Sequence, residues 1–255
     1  MILVITGTGD GRELVQELTE KGYKMIVSVT TEYGKSLIEG DNCGINTMPL
    51  DTDGLVALIR LDNIQCIVDA SHPYAVNVSR NAMDAARKAG IDYIRYDRPS
   101  ALLPAYDKLF LVNSYEEAAE KAGQLGHHIF LTTGSRNLKV FKQHNALSGH
   151  RLTARVLPLV KSIEECLAAG FTSKDIIAVQ GPFSHEFNKA MFAEYSAEVV
   201  VMKNSGSIGG TDTKVTAAME LGLSILVIDR PQLDYGKVVQ SFAAVMECLQ
   251  EVRVR

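Results

Sequence analysis

Short apolar runs alternate with amphipathic stretches along the whole chain. The runs at 2–6, 25–29, 66–69, 109–112, 129–132, 176–180, 199–202 and 225–228 are largely apolar on both faces, as parallel strands covered by helices must be. Segments 11–21, 76–89, 115–122, 186–195 and 214–221 carry the helical period instead. A last helix is predicted over 236–249, where Val239, Phe242, Ala243, Met246 and Leu249 share one face. Alternating strand and helix units predict a doubly wound parallel sheet with right-handed crossovers. The rhythm outlasts one sheet's worth of strands, and the stretch 97–104, with Pro99 and Pro104, interrupts it. The expected architecture is therefore α/β, with two Rossmann-like doubly wound parallel-sheet domains, 1–100 and 101–255. A cleft between them, at the carboxyl ends of the strands, is where such folds bind ligands.

Composition narrows the function classes. The chain has 255 residues and a formal net charge of -4, which offers no basic surplus for nucleic acid. No apolar run reaches the roughly 18 residues of a membrane span. The opening MILVITGTGDGREL has no positive segment ahead of its apolar run, so it reads as a buried strand rather than a signal peptide. Cys43, Cys66, Cys166 and Cys248 form no CxxC pair, and Cys66 and Cys166 sit among apolar residues. This usage suggests a reducing, cytoplasmic setting and argues against a disulfide framework or a metal site.

Four groups of residues carry candidate chemistry. Gly7, Thr8, Gly9, Gly11 and Arg12 follow the first strand and open a helix. Small residues there let a phosphate approach backbone N–H groups at a helix N-terminus, and Arg12 adds positive charge. The end of the second strand supplies Thr30, Thr31 and Glu32. An acid about 20 residues beyond the glycines suits an adenine ribose, whereas hydroxyls suit a 2′-phosphate, so NADH and NADPH both stay open. Ser71, His72, Pro73 and Tyr74 follow a buried strand, with Pro73 near a helix start and Ser71 and Pro73 facing the same cofactor. His72 reads as an acid, a ligand-binding donor or a residue of the cap region. In the second half, loops at three strand ends hold Gly134, Ser135 and Arg136; Gln180 to Ser184; and Lys203, Ser205 and Gly206 leading into a helix.

The stretch DASHPYAVNVSRNAMDAARKAGIDYIRYDRPS closely resembles the corresponding motif of precorrin-6A reductases. ILVITGTGDGREL, SVTTEYG, LTTGSRNL, RVLP, QGPFSHEFN and KNSGSIGGTDTKVTAAMELGLSILVIDRP extend the resemblance, in order, over nearly the whole chain. Members often read GGTTEAR at the first loop, where this chain has TGTGDGR and keeps Arg12. The resemblance implies two Rossmann-type domains that bind NADPH or NADH and a tetrapyrrole, with or without cobalt. It implies reduction of one double bond of precorrin-6A to the 6B form in cobalamin biosynthesis.

Hydride transfer is the cofactor's chemistry, so the protein's task is to position the reactants and exclude water. No catalytic triad is needed and none is evident. His72, Tyr74 or water would supply the accompanying proton. The substrate's acetate and propionate groups call for basic donors, and Arg95, Arg98, Arg136, Arg155, Lys203 and Arg230 are candidates. The expected substrate contacts are Arg98, Gly134, Ser135, Arg136, Lys203, Ser205 and Gly206. A non-catalytic dinucleotide sensor is the alternative from another class, since fold alone does not make an enzyme. A short-chain dehydrogenase is disfavoured because no tyrosine has a lysine four residues later.

Overall fold

The computed structural model describes residues 1–29, 43–206 and 209–252. In chain order, the first elements are β1 (Ile2–Ile5), α1 (Gly9–Glu20), β2 (Met25–Ser28), β3 (Cys43–Asn46), α2 (Thr52–Leu61), β4 (Cys66–Asp69), α3 (Val76–Ala89) and β5 (Asp92–Tyr96). Next come β6 (Leu109–Val112), α4 (Tyr115–Leu125), β7 (His128–Leu131), α5 (Leu138–Gln143), β8 (Arg151–Val156), α6 (Val160–Ala168) and β9 (Ile176–Ala178). The chain closes with α7 (His185–Glu194), β10 (Val199–Lys203), α8 (Thr211–Glu220), β11 (Ser224–Ile228), β12 (Val238–Val239) and α9 (Phe242–Glu251). It divides into two units, Met1–Pro99 with Pro231–Arg255, and Ser100–Arg230.

The first unit holds a parallel six-stranded sheet in the order β3-β2-β1-β4-β5-β12. Alternate residues of β1 face opposite layers, as the strand period of two demands. Ile2 and Val4 pack with Leu14 and Leu18 of α1 and Val245 and Leu249 of α9. Leu3 and Ile5 pack with Leu55 and Ile59 of α2 and Ala82 and Ala86 of α3. The small residues of α3 let it approach the sheet closely. Strand order reverses between β1 and β4, and the connections leaving these two strands cross to opposite faces of the sheet, the place where such folds bind ligands.

The second unit repeats the plan with the parallel order β9-β8-β7-β10-β11-β6. Its reversal falls between β7 and β10. Phe130, Val200, Met202 and Ile225 meet Phe192 of α7 and Val215 and Ala218 of α8 on one face. Ala118, Ala119 and Ala122 of α4 and Phe141 of α5 are buried as well.

Three features depart from the sequence pattern. The segment 231–255 belongs with the first unit, not with 101–230, because β12 pairs with β5 and Val245 and Leu249 enter the first core. The last helix starts at Phe242, where Ser241 Oγ accepts the Ala244 N–H at 3.2 Å, and residues 238–239 form a strand instead. Strands β3, β5, β8 and β12 and helices α2, α5 and α6 were not evident in the pattern. DYIRY and RLTARV place arginines inside strands, which breaks the apolar run that marks the others.

Candidate functional site

In the first unit, the turn between β1 and α1 is built around close approach. Thr8 caps the helix, its Oγ1 accepting the Gly11 N–H at 3.3 Å and donating to the Ala70 carbonyl at 3.5 Å. This ties the tip of β1 to the tip of β4. A Cβ at Gly11 would lie 1.9 Å from Thr6 Oγ1 and 3.1 Å from Ala70 O, so any other residue there requires Thr6 or the helix start to shift. A Cβ at Gly7 would meet nothing within 4 Å, and one at Gly9 would meet only Arg12 Nη2 at 3.8 Å. These two glycines therefore face open space at the N-terminus of a 12-residue helix. The Arg12 side chain has no ion-pair partner among the described residues. Thr6 Oγ1, buried beneath the turn, also has no partner. Asp10 would repel an anion at the helix start, but Arg98 neutralises it at 2.8 Å in a buried pair. The donors, the helix dipole and the room above the glycines together fit the pyrophosphate of a dinucleotide.

The loop after β4 is held from below by an ionic network. Asp69, at the end of β4, pairs with Arg95 of β5 at 3.0 Å, and both side chains are fully buried. Asp69 also accepts from Ser71 N at 2.9 Å, Ser79 Oγ at 2.6 Å and Tyr93 Oη at 2.6 Å. Burial and the adjacent Asp69 carboxylate push the Tyr93 phenol far above its ordinary value, so it stays a donor. Arg95 reaches Ser71 Oγ at 3.2 Å and lies 5.0 Å from the ring centre of Tyr235, which comes from the returning C-terminal segment. Ser71 is thus fixed from both its N–H and its hydroxyl. Next to it, His72 Nδ1 accepts the Tyr74 N–H at 3.2 Å, and the two rings lie 5.6 Å apart. A neutral imidazole that accepts at Nδ1 carries its proton on Nε2.

In the second unit, the switch point gathers cations instead. Gly134, at φ +84, turns the chain after β7 and leads to Ser135 and Arg136. Lys203 ends the neighbouring β10, followed by the buried Asn204, Ser205 and Gly206. Arg155 of β8 donates to Asn188 Oδ1 at 2.8 Å and lies 4.9 Å from the Phe183 ring centre. Lys214, in the first turn of α8, is 7% exposed. Burial, with Arg155 and Lys203 adding repulsion, lowers the Lys214 pKa to about 7. Burial and Arg136 lower that of Lys203 to about 8, and burial lowers that of Arg155 to about 10. No carboxylate forms an ion pair with Lys214 among the described residues.

This arrangement has a stability signature. Between pH about 7 and the ordinary value of 10.5, the unfolded chain holds a proton on Lys214 that the folded chain lacks. Stability contributed through Lys214 therefore rises with pH across that window. A Lys214→Met protein is expected to lose this slope and to gain up to a few kcal/mol at pH about 7 or below. Urea unfolding of both proteins at several pH values measures it, and parallel curves would contradict it.

The structure brings Gly7, Thr8, Gly9, Gly11, Arg12, Ser71, His72, Pro73 and Tyr74 to the tips of β1 and β4. It brings Gly134, Ser135, Arg136, Lys203, Ser205 and Gly206 to the tips of β7 and β10. Thr30, Thr31 and Glu32 lie outside the described residues. Arg95 and Arg98, expected near substrate carboxylates, are instead buried against Asp69 and Asp10. Arg230 donates from Nε to Asn204 O at 3.1 Å, bracing the loop after β10. Sequence reading missed Asp10, Asp69 and Lys214. The available signal for Lys214 was its place in TDTK, one helical turn after a glycine-rich loop.

Comparison with known proteins shows the family. The family described as Precorrin-6x reductase CbiJ/CobK matches residues 1–250. A cobalt-precorrin-6A reductase of Priestia megaterium is 40% identical over 250 residues, covering 98% of each chain. One from Salmonella typhimurium is 36% identical over 231 residues, covering 90% of this chain and 87% of its own. A solved structure titled CobK precorrin-6A reductase superposes with a TM-score of 0.83 at 22% identity, covering 99% of this chain and 97% of its own, and establishes the shared fold. With a family match along nearly its full length and relatives this similar, the chain belongs to the precorrin-6x reductase CbiJ/CobK family.

Proposed function

We propose that the protein reduces one double bond of cobalt-precorrin-6A with NADPH or NADH, the dinucleotide seated on the turn between β1 and α1. The observation that carries this reading is the Gly11 contact. The helix start is drawn close to Thr6 and Ala70, Gly7 and Gly9 face open space, and Arg12 has no ion-pair partner among the described residues. The Priestia and Salmonella relatives are named for the cobalt form, which favours that substrate here.

In this reading, Thr8 and Gly9 present backbone N–H groups to the pyrophosphate, and Arg12 adds a cation. Bound nicotinamide supplies the hydride. His72 holds a proton at Nε2 and Tyr74 one at Oη, so either side chain serves as proton donor to the neighbouring ring atom. Ser71, fixed by the Asp69–Arg95 pair, and Pro73 hold the nicotinamide half. Gly134, Ser135, Arg136, Lys203, Ser205 and Gly206 contact the macrocycle.

The test mixes purified protein with cobalt-precorrin-6A or metal-free precorrin-6A, each with NADPH and with NADH. Loss of nicotinamide absorbance and a product heavier by two hydrogens are expected, faster with the cobalt substrate. Tight dinucleotide binding with no oxidation on either substrate would leave a sensor, and the reductase reading would fail.

A further inference from the structure

A buried lysine with no acidic partner is costly to charge, so its retention calls for a physical reason. Lys214 is such a residue. Charged and titratable groups approach it from each side: Lys203 on β10, Arg155 on β8 and, beyond Lys203, Arg136 after β7. On the packed helix α7, Asn188 faces this region and takes Arg155, while His185 and Lys189 are held by Glu220 at the far end of α8. Asp212, on the Lys214 helix itself, is exposed. Four cations therefore gather at a topological switch point, and among the described residues no carboxylate pairs with Lys214.

A second observation is independent of charge. Thr133, 3% exposed at the tip of β7, has a hydroxyl oxygen with no hydrogen-bond partner among the described residues. Strand β7 lies next to β10, which carries Lys203. An unsatisfied buried hydroxyl beside a group of cations completes the donor set for a carboxylate.

We propose that Lys214, Lys203 and Arg155 form a carboxylate site that takes up a proton as it fills. This rests on the reading of the substrate as a macrocycle fringed with acetate and propionate groups. In the free protein, the cations disfavour one another's charge and Lys214 is largely neutral above pH about 7. An arriving carboxylate reverses that balance, and Lys214 draws a proton from solvent. The bound ammonium then pairs with the carboxylate, with no bond to carbon made or broken.

The probe is uroporphyrin, a stable tetrapyrrole bearing acetate and propionate arms. Its binding is measured calorimetrically at pH about 8 in two buffers of different ionisation enthalpy, which reports the protons exchanged. Uptake is expected for the native protein. Lys214→Met should bind the probe at least about tenfold more weakly, while its NADPH affinity stays within about twofold. Lys214→Arg, a cation that does not titrate here, should bind within about threefold of native and lose more than half of the uptake. Native affinity in Lys214→Met, unchanged uptake in Lys214→Arg, or no binding by the native protein would each overturn the site. Turnover of cobalt-precorrin-6A is scored separately. Lys214-linked uptake without turnover sinks the reductase reading alone, and turnover with a Lys214→Met protein of native affinity sinks this site alone.

Discussion

Replacing Asp69 with alanine is expected to destabilise the first unit by about 3–5 kcal/mol, the cost of leaving a buried cation unpaired. Arg95 is fully buried, with Asp69 at 3.0 Å as its near carboxylate and Asp97 at 3.4 Å. The same change strips acceptors from Ser71 N, Ser79 Oγ and Tyr93 Oη, each donating at 2.9 Å or less. Each orphaned buried donor adds about 1–3 kcal/mol in isolation, and relaxation shares these costs rather than summing them. Because Ser71 hangs from this carboxylate, the loss also frees the loop that carries His72, and dinucleotide affinity should fall with stability. A double-mutant cycle identifies the cause. With Arg95→Met in place, the Asp69→Ala change should cost about 2 kcal/mol less than in the native background. Denaturant unfolding gives all four values. A single-mutant loss below about 1 kcal/mol, or strict additivity, would show that the pair does not hold this loop.

The second large effect separates two glycines of one turn. Gly11→Ala should cost about 1–3 kcal/mol through overpacking and reduce dinucleotide affinity at least a hundredfold. Its new Cβ would lie 1.9 Å from Thr6 Oγ1, so either Thr6 or the start of α1 must move. Moving the helix start also moves the Thr8 cap and the N–H groups proposed to meet phosphate. Gly7→Ala should leave stability within about 0.5 kcal/mol, because its Cβ meets nothing within 4 Å, yet lower affinity at least tenfold by filling the space reserved for phosphate. Thr6→Ala removes the oxygen that clashes, so the double change Thr6→Ala with Gly11→Ala should recover much of the lost stability. Thermal unfolding and NADPH titration of the four proteins settle the matter. Equal behaviour of the two single glycine variants would remove the basis for placing a dinucleotide here.

The first unit's turn was legible because its logic is local. A strand, a set of small residues and a helix start occupy consecutive positions, and their spacing alone suggests an anion cradle. The Ser71–Tyr74 loop was legible for the same reason. Arg95 and Arg98 misled because a sequence shows that an arginine is present but not which carboxylate it meets. Asp69 lies 26 residues before Arg95, and Asp10 lies 88 before Arg98. Lys214 was hidden by the converse problem. Its significance is that no carboxylate among the described residues pairs with it, and such pairing is decided only once the chain has folded.

From its order of residues alone, the chain set its class. The doubly apolar runs of β1, β4, β7, β10 and β11 require helices on both faces, and their alternation with helical periods dictates parallel sheets. Short-range pattern suffices because burial of a whole strand leaves the same mark wherever it occurs. Tertiary structure decided what such runs cannot carry: β5 and β8, whose interior arginines are tolerated only beside Asp69 or Asn188, and the return of 231–255 to complete the first sheet through a two-residue strand. It also decided that Arg95 and Arg98 neutralise acids of the fold. Charge pairing and desolvation depend on distances across the chain, and those distances are set by packing rather than by sequence position.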